Sequence, residues 1–104
     1  MILSNSRNLL EDLTAAKNNG FTEEFIFLEG KIHGRKNKKL YSNKDCILVE
    51  YCIHEGMSDP SDQSILFLIH CNDETKGCLS SAYGIYADAD LIEFCMSLEK
   101  QKAE

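Results

Sequence analysis

No apolar run in the sequence approaches the roughly 20 residues that a membrane-spanning helix requires. The amino terminus turns polar at Ser4, so no secretory leader is expected there. The five cysteines, at 46, 52, 71, 78 and 95, are odd in number and include no C-x-x-C pair. That excludes a disulfide framework and the close-paired signature of a structural zinc site. Free cysteines in apolar stretches fit a reducing compartment, and the expected location is cytoplasmic. There is no G-x-S-x-G elbow for a nucleophilic serine and no glycine-rich loop opening a helix to hold phosphate. The spacing of Asp59-Pro-Ser-Asp62 does not fit a calcium loop. No catalytic residue and no cofactor is therefore assigned from the sequence.

What is present is ordinary globular material. The chain has 104 residues, 43% of them hydrophobic and 27% charged, enough for one core and one domain over 1–104. A net charge of −6 disfavours nucleic acid and anionic membranes as partners. The charge is uneven: Lys31, Arg35, Lys36, Lys38, Lys39 and Lys44 fall in a stretch without a single acid. Nucleic-acid binding through residues 31–44 is one alternative; a solvated loop or a lysine-guarded edge strand is the plainer reading.

Leu9, Leu10, Leu13 and Ala16 recur at helical spacing after a cap at Ser4 or Ser6, and Gly20 ends that helix, with Phe21 folding back on its last turn. Residues 24–29 read as a strand, 39–41 as a short one, and Ser42-x-x-Asp45 as a capping box for a single turn. Residues 47–55 form a long strand in which Ile47, Val49, Tyr51 and Ile53 face the core by alternation. Residues 64–71 and 78–83 pair as a hairpin, and Asp88 caps a last helix with Leu91, Ile92, Cys95 and Met96 on its apolar stripe. The expected fold is α+β: an N-terminal helix, an antiparallel sheet of about four strands and a C-terminal helix, with both helices on one face. Leu48, Cys52, Leu66, Leu68 and Leu79 would then cover the other face, against the basic segment or a second copy in a homodimer.

Of the histidines, His54 and His70 fall on neighbouring strands, and Cys52-x-His54 shares a face. With Cys71 or Cys78 they suggest a zinc cluster, but Cys71 points away from His70, and half-exposed strand histidines are the simpler reading. Two connections stand out. In Glu55-Gly-Met-Ser-Asp-Pro-Ser-Asp62, Ser58, Asp59 and Asp62 suit backbone capping around Pro60. In Ser81-Ala-Tyr-Gly-Ile-Tyr-Ala-Asp88, Tyr83 and Tyr86 suit a partner surface or the seal between sheet and helix.

Glu55-Gly-Met-Ser-Asp-Pro-Ser-Asp-Gln-Ser-Ile65, Lys76-Gly-Cys-Leu79 and Ala82-Tyr-Gly-Ile-Tyr-Ala-Asp88 together resemble a family of small proteins found mainly in Bacteroidetes. Its members often carry the label phosphoribosylpyrophosphate synthetase, and no catalytic residues are established for them. The label does not suit this chain, which is about a third of a synthetase's length and has no Asp-Asp or Thr-Gly pair. The resemblance implies that residues 55–62 and 83–88 form one surface. The sequence thus favours a non-catalytic binding or regulatory module acting through protein contacts. Its candidate recognition residues are Glu55, Ser58, Asp59, Asp62, Tyr83, Tyr86 and Asp88. The alternative is a small-molecule or metal-dependent enzyme using the same two segments.

Overall fold

The computed structural model describes residues 2–55 and 63–101. Helix α1 spans Leu9–Asn18, beginning later than the serines suggested. Its cap is Asn8, in a reciprocal box with Glu11: the Glu11 amide donates to Asn8 Oδ1 at 2.8 Å, and the Asn8 amide to Glu11 Oε1 at 3.0 Å. The helix stops in a Schellman arrangement. Gly20, at φ +94°, sends its amide to Lys17 O, and Phe21 reaches Ala16 O, which folds Phe21 into the core.

Strands β1 (Glu23–Leu28) and β2 (Lys31–Gly34) form a hairpin whose turn residues, Glu29 and Gly30, both have positive φ, as a twist-compatible two-residue turn requires. Strand β3 (Leu40–Tyr41) adds to β2, and the expected single turn follows at Asn43–Asp45. Then come β4 (Cys46–His54), β5 (Gln63–Cys71), β6 (Lys76–Tyr83), helix α2 (Ala89–Met96, capped by Asp88) and β7 (Glu99–Lys100).

The expected antiparallel sheet of about four strands is corrected to a mixed sheet of seven, in the order β3-β2-β1-β6-β5-β4-β7. Parallel pairing enters twice, where β1 meets β6 and where β7 meets β4. Each parallel pair joins strands far apart in the chain, so each has the long crossover that parallel pairing needs.

The placement of both helices on one face is also corrected, because they lie on opposite faces. Ala16 of α1 packs with Phe21, Leu66, Leu68 and Cys78, while Leu91, Phe94 and Cys95 of α2 pack with Phe25, Leu48, Phe67, Ile69 and Leu79. Strand β5 is the reason: Ile65–Ile69 is buried on both sides, so it shows a continuous apolar run and no alternation. Each face is thus packed against its own helix, including the one expected to meet the basic segment or a second copy. Leu48 and Leu79 belong to the α2 side, and Cys52, Leu66 and Leu68 to the α1 side.

The alternation expected along β4 also changes partway. Leu48 pairs with Ile69 but Glu50 with Leu68, so Val49 is the extra residue of a β-bulge. Before it, Cys46 and Leu48 face α2; after it, Ile53 does, while Val49 and Cys52 face α1. Ile47 and Tyr51, expected in the core, are exposed.

Candidate metal centre

The bulge turns Glu50, Cys52 and His54 toward α1 and the segment that leads into it. Glu50 accepts the amides of Ile2 (3.0 and 3.1 Å) and Leu3 (2.8 Å), fastening that segment to the sheet. One helical turn past its cap, α1 directs Asp12 inward, where it is fully buried. Asp12 Oδ2 lies 2.6 Å from His54 Nε2 and accepts the Ser4 amide at 3.0 Å, and Oδ1 stands 2.9 Å from Arg7 Nε. The Arg7 guanidinium also donates to the Ile2 carbonyl.

Cys52 completes a group of three: donor atoms of Asp12, Cys52 and His54 all lie within 4.8 Å of one another. A tetrahedral zinc site has donor–donor edges of roughly 3.5 Å, given zinc–ligand bonds near 2.0–2.3 Å. The spread is close to that scale, and carboxylate, thiolate and imidazole are the donor types that zinc takes. Among the described residues the group has three members.

His54 is 3% exposed. When Nε2–H is donated to Asp12, the lone pair sits on Nδ1, and among the described residues Nδ1 has no hydrogen-bond partner. A buried lone pair without a donor is costly, and here it faces no described group that would relieve it. Burial pushes the Cys52 thiol up from its ordinary pKa, and the Asp12 and Glu50 carboxylates add to that rise, outweighing Arg7. In this setting the thiol keeps its proton until a cation compensates the charge. Cys52 also lines a cleft of about 470 Å³ with Leu3, Ser4, Asn5, Arg7 and Glu50, so the group has an approach from solvent.

The histidine pairing suggested by the sequence dissolves. His54 stands opposite Ser64 and His70 opposite Ile47, at the two ends of the β4–β5 ladder. His70 instead meets Glu74 at 3.3 Å. Cys71 lies in the α2-side cluster, and Cys78, though on the α1 side, directs its thiol to the Phe21 carbonyl; neither belongs to the group formed by Asp12, Cys52 and His54. The Cys52-x-His54 pair does share a face, and its third member, Asp12, was missed. A signal for it exists, since Asp12 interrupts the stripe of Leu9, Leu13 and Ala16 on the α1 face that packs inward.

Of the expected recognition residues, Ser58, Asp59 and Asp62 lie outside the described residues. Glu55 is exposed at the end of β4, and Tyr83 ends β6 opposite Gln63, so the two flank the start of β5 at one end of the sheet. Asp88 spends its carboxylate on the Leu91 amide at 3.2 Å. Tyr83 packs against the α2-side core, whereas Ile85 and Tyr86 are 78% and 71% exposed. Neither the cleft at Cys52 nor one of about 460 Å³ beside Phe27 and Phe94 is lined by Glu55, Tyr83, Tyr86 or Asp88.

Three of the six basic residues of the 31–44 stretch are engaged locally. Arg35 meets Glu24 at 3.3 Å, Lys39 meets Asp73 at 3.3 Å, and Lys36 donates to the Thr22 carbonyl. Among the described residues no helix is long and apolar enough to cross a membrane. Comparison of the chain with protein-family models, with curated proteins and with solved structures finds no match.

Proposed function

We propose that the chain is a small metal-binding domain whose centre is Asp12, Cys52 and His54, with zinc as the ion its donor set suits. The observation that carries the reading is the convergence of a carboxylate, a thiol and an imidazole within 4.8 Å of one another, with Asp12 and His54 buried. Three protein donors leave one of four tetrahedral positions to water or a small ligand, the arrangement of reactive zinc rather than of closed structural sites. The cleft beside Cys52 would give that ligand its route. Arg7 balances the Asp12 charge in the metal-free protein, and a divalent ion would take over that role.

Cobalt(II) tests the reading, because thiolate coordination gives it a strong charge-transfer absorption. One equivalent is expected to bind the folded chain with that band. Cys52→Ser should abolish the band, and His54→Gln should weaken binding by roughly tenfold or more. Binding should tighten with rising pH, since the raised Cys52 thiol must release its proton to coordinate. Absence of one-to-one binding to a chain shown to be folded by circular dichroism would reduce the group to a hydrogen-bonded piece of core.

A further inference from the structure

Cys46 and Cys71 sit directly opposite each other on β4 and β5, on the α2 side of the sheet, and play no part in the proposed metal centre. Their Sγ atoms are 3.6 Å apart, and both residues are buried. The ladder around them fixes what kind of pair this is. Asn72 donates its amide to the Asp45 carbonyl at 2.8 Å, while the Cys71 amide turns away from β4 to Thr75 O at 2.7 Å. Cys46 and Cys71 therefore occupy a position without interstrand hydrogen bonds, where facing Cα atoms approach to about 4.5 Å. That separation falls within the range a disulfide spans, so the bond can close by side-chain rotation without moving the strands.

We propose that Cys46 and Cys71 form a two-electron oxidation site that closes a cross-strand disulfide on reaction with a small uncharged peroxide. Both cysteines are among the residues that line a cleft of about 240 Å³, room for a molecule of that size beside the pair. Asp45, Glu74 and Glu99 border the same cleft against Lys44, a surplus of negative charge that disfavours anionic oxidants such as glutathione disulfide. Either sulfur can donate to the other across this contact, so the pair is symmetric in its hydrogen bonding and either thiol can react first.

One of the two, as thiolate, attacks one peroxide oxygen; the O–O bond breaks, hydroxide leaves, and that cysteine becomes a sulfenic acid. The other thiol then attacks the sulfenic sulfur, loses its proton and expels hydroxide as the S–S bond forms. In sum, two thiols and one hydrogen peroxide give one disulfide and two waters, and a dithiol reductant restores the pair.

The test uses the full folded chain, treated with hydrogen peroxide and in parallel with glutathione disulfide, then alkylated and digested without reduction. The expected product is a linked pair of peptides carrying Cys46 and Cys71, two hydrogen atoms lighter than the free peptides. It should form faster with peroxide than with glutathione disulfide and vanish with dithiothreitol. Cys78 and Cys95, whose thiols burial pushes up to about 11 and about 12, should stay alkylatable on unfolding and serve as internal controls. Oxidised chain should melt at a higher temperature than reduced chain, and Cys71→Ala should lose that difference. Since the linked peptide is read from the unmodified sequence, a variant that fails to fold leaves the test intact. Recovery of Cys46 and Cys71 as free thiols or as sulfinic acids, or linked to other cysteines, overturns the proposal.

Discussion

Strand β5 supplies side chains to both faces of the sheet, and the two faces are built differently. Toward α2, Ile65, Phe67 and Ile69 meet Leu91, Phe94, Cys95 and Leu98, an apolar interior with the Phe27–Phe94 ring pair at its margin. Toward α1, Leu66 and Leu68 meet Ala16 and Phe21, but Asp12 and His54 are buried on the same side. The third buried polar side chain among the described residues, Glu23, shows what a settled one looks like. It accepts three backbone amides, from Glu24 at 2.8 Å and from Lys36 and Asn37 at 3.0 Å. His54, by contrast, has one nitrogen paired and one unpaired among the described residues. Burial of polar groups alone does not mark the candidate site; incomplete pairing does.

The sharpest way to break the comparison is to damage each face and ask what else changes. Phe67→Ala empties the centre of the α2 side and should cost about 4 kcal/mol of stability by chemical denaturation. At temperatures where the variant stays folded, cobalt binding should be retained, because the donors face α1 on the opposite side of the sheet. Loss of binding there would mean that the two faces are not independent.

Asp12→Ala should cost less, about 3 kcal/mol, because it strands His54, Arg7 and the Ser4 amide while removing little apolar surface. It should also abolish metal binding. A double-mutant cycle with His54→Ala separates these effects, since the second substitution should cost much less once Asp12 is gone. Additive costs would sever the Asp12–His54 link on which the site reading depends.

The smallest effect concerns acid. Burial works against the charged form of Glu23, but the amides of Lys36, Asn37 and Glu24 outweigh it and lower its pKa from the ordinary 4.5. A carboxylate lowered by folding stabilises fully above its unfolded value and loses that contribution as pH falls through the folded one. Glu23→Gln should therefore flatten the acid limb of a stability–pH curve below about pH 4.5 and leave metal binding at neutral pH unchanged. An unchanged acid limb would count against the amide cradle.

Local signals in the sequence were readable wherever a short motif fixes the backbone. The Asp45 capping box, the Gly20–Phe21 helix stop, the β5–β6 hairpin and the Asp88 cap all appear where residue chemistry places them. Arrangement across the sheet was not readable. Nothing near Glu23 announces that β1 will lie parallel to β6, and β7 is two residues long. Strand β5 hides its two-sided burial because a fully buried strand carries no period. Two of the three members of the candidate site were visible in Cys52-x-His54. Asp12 left only a weak trace, its place within the stripe of Leu9, Leu13 and Ala16, because an acid in a helix reads as solvent-facing until the sheet beneath that helix is known.

The bulge in β4 bears on how the chain tolerates changes in length. Val49 has no residue opposite it, so β4 carries one residue more than its ladder with β5 requires. A residue lost there would regularise the strand and leave Cys52 and His54 on their present side, whereas a one-residue slip within the paired region after it would turn both donors over. Position 49 thus serves as slack in the chain, the one point along β4 where an insertion or deletion between related sequences would leave the donor pair facing α1.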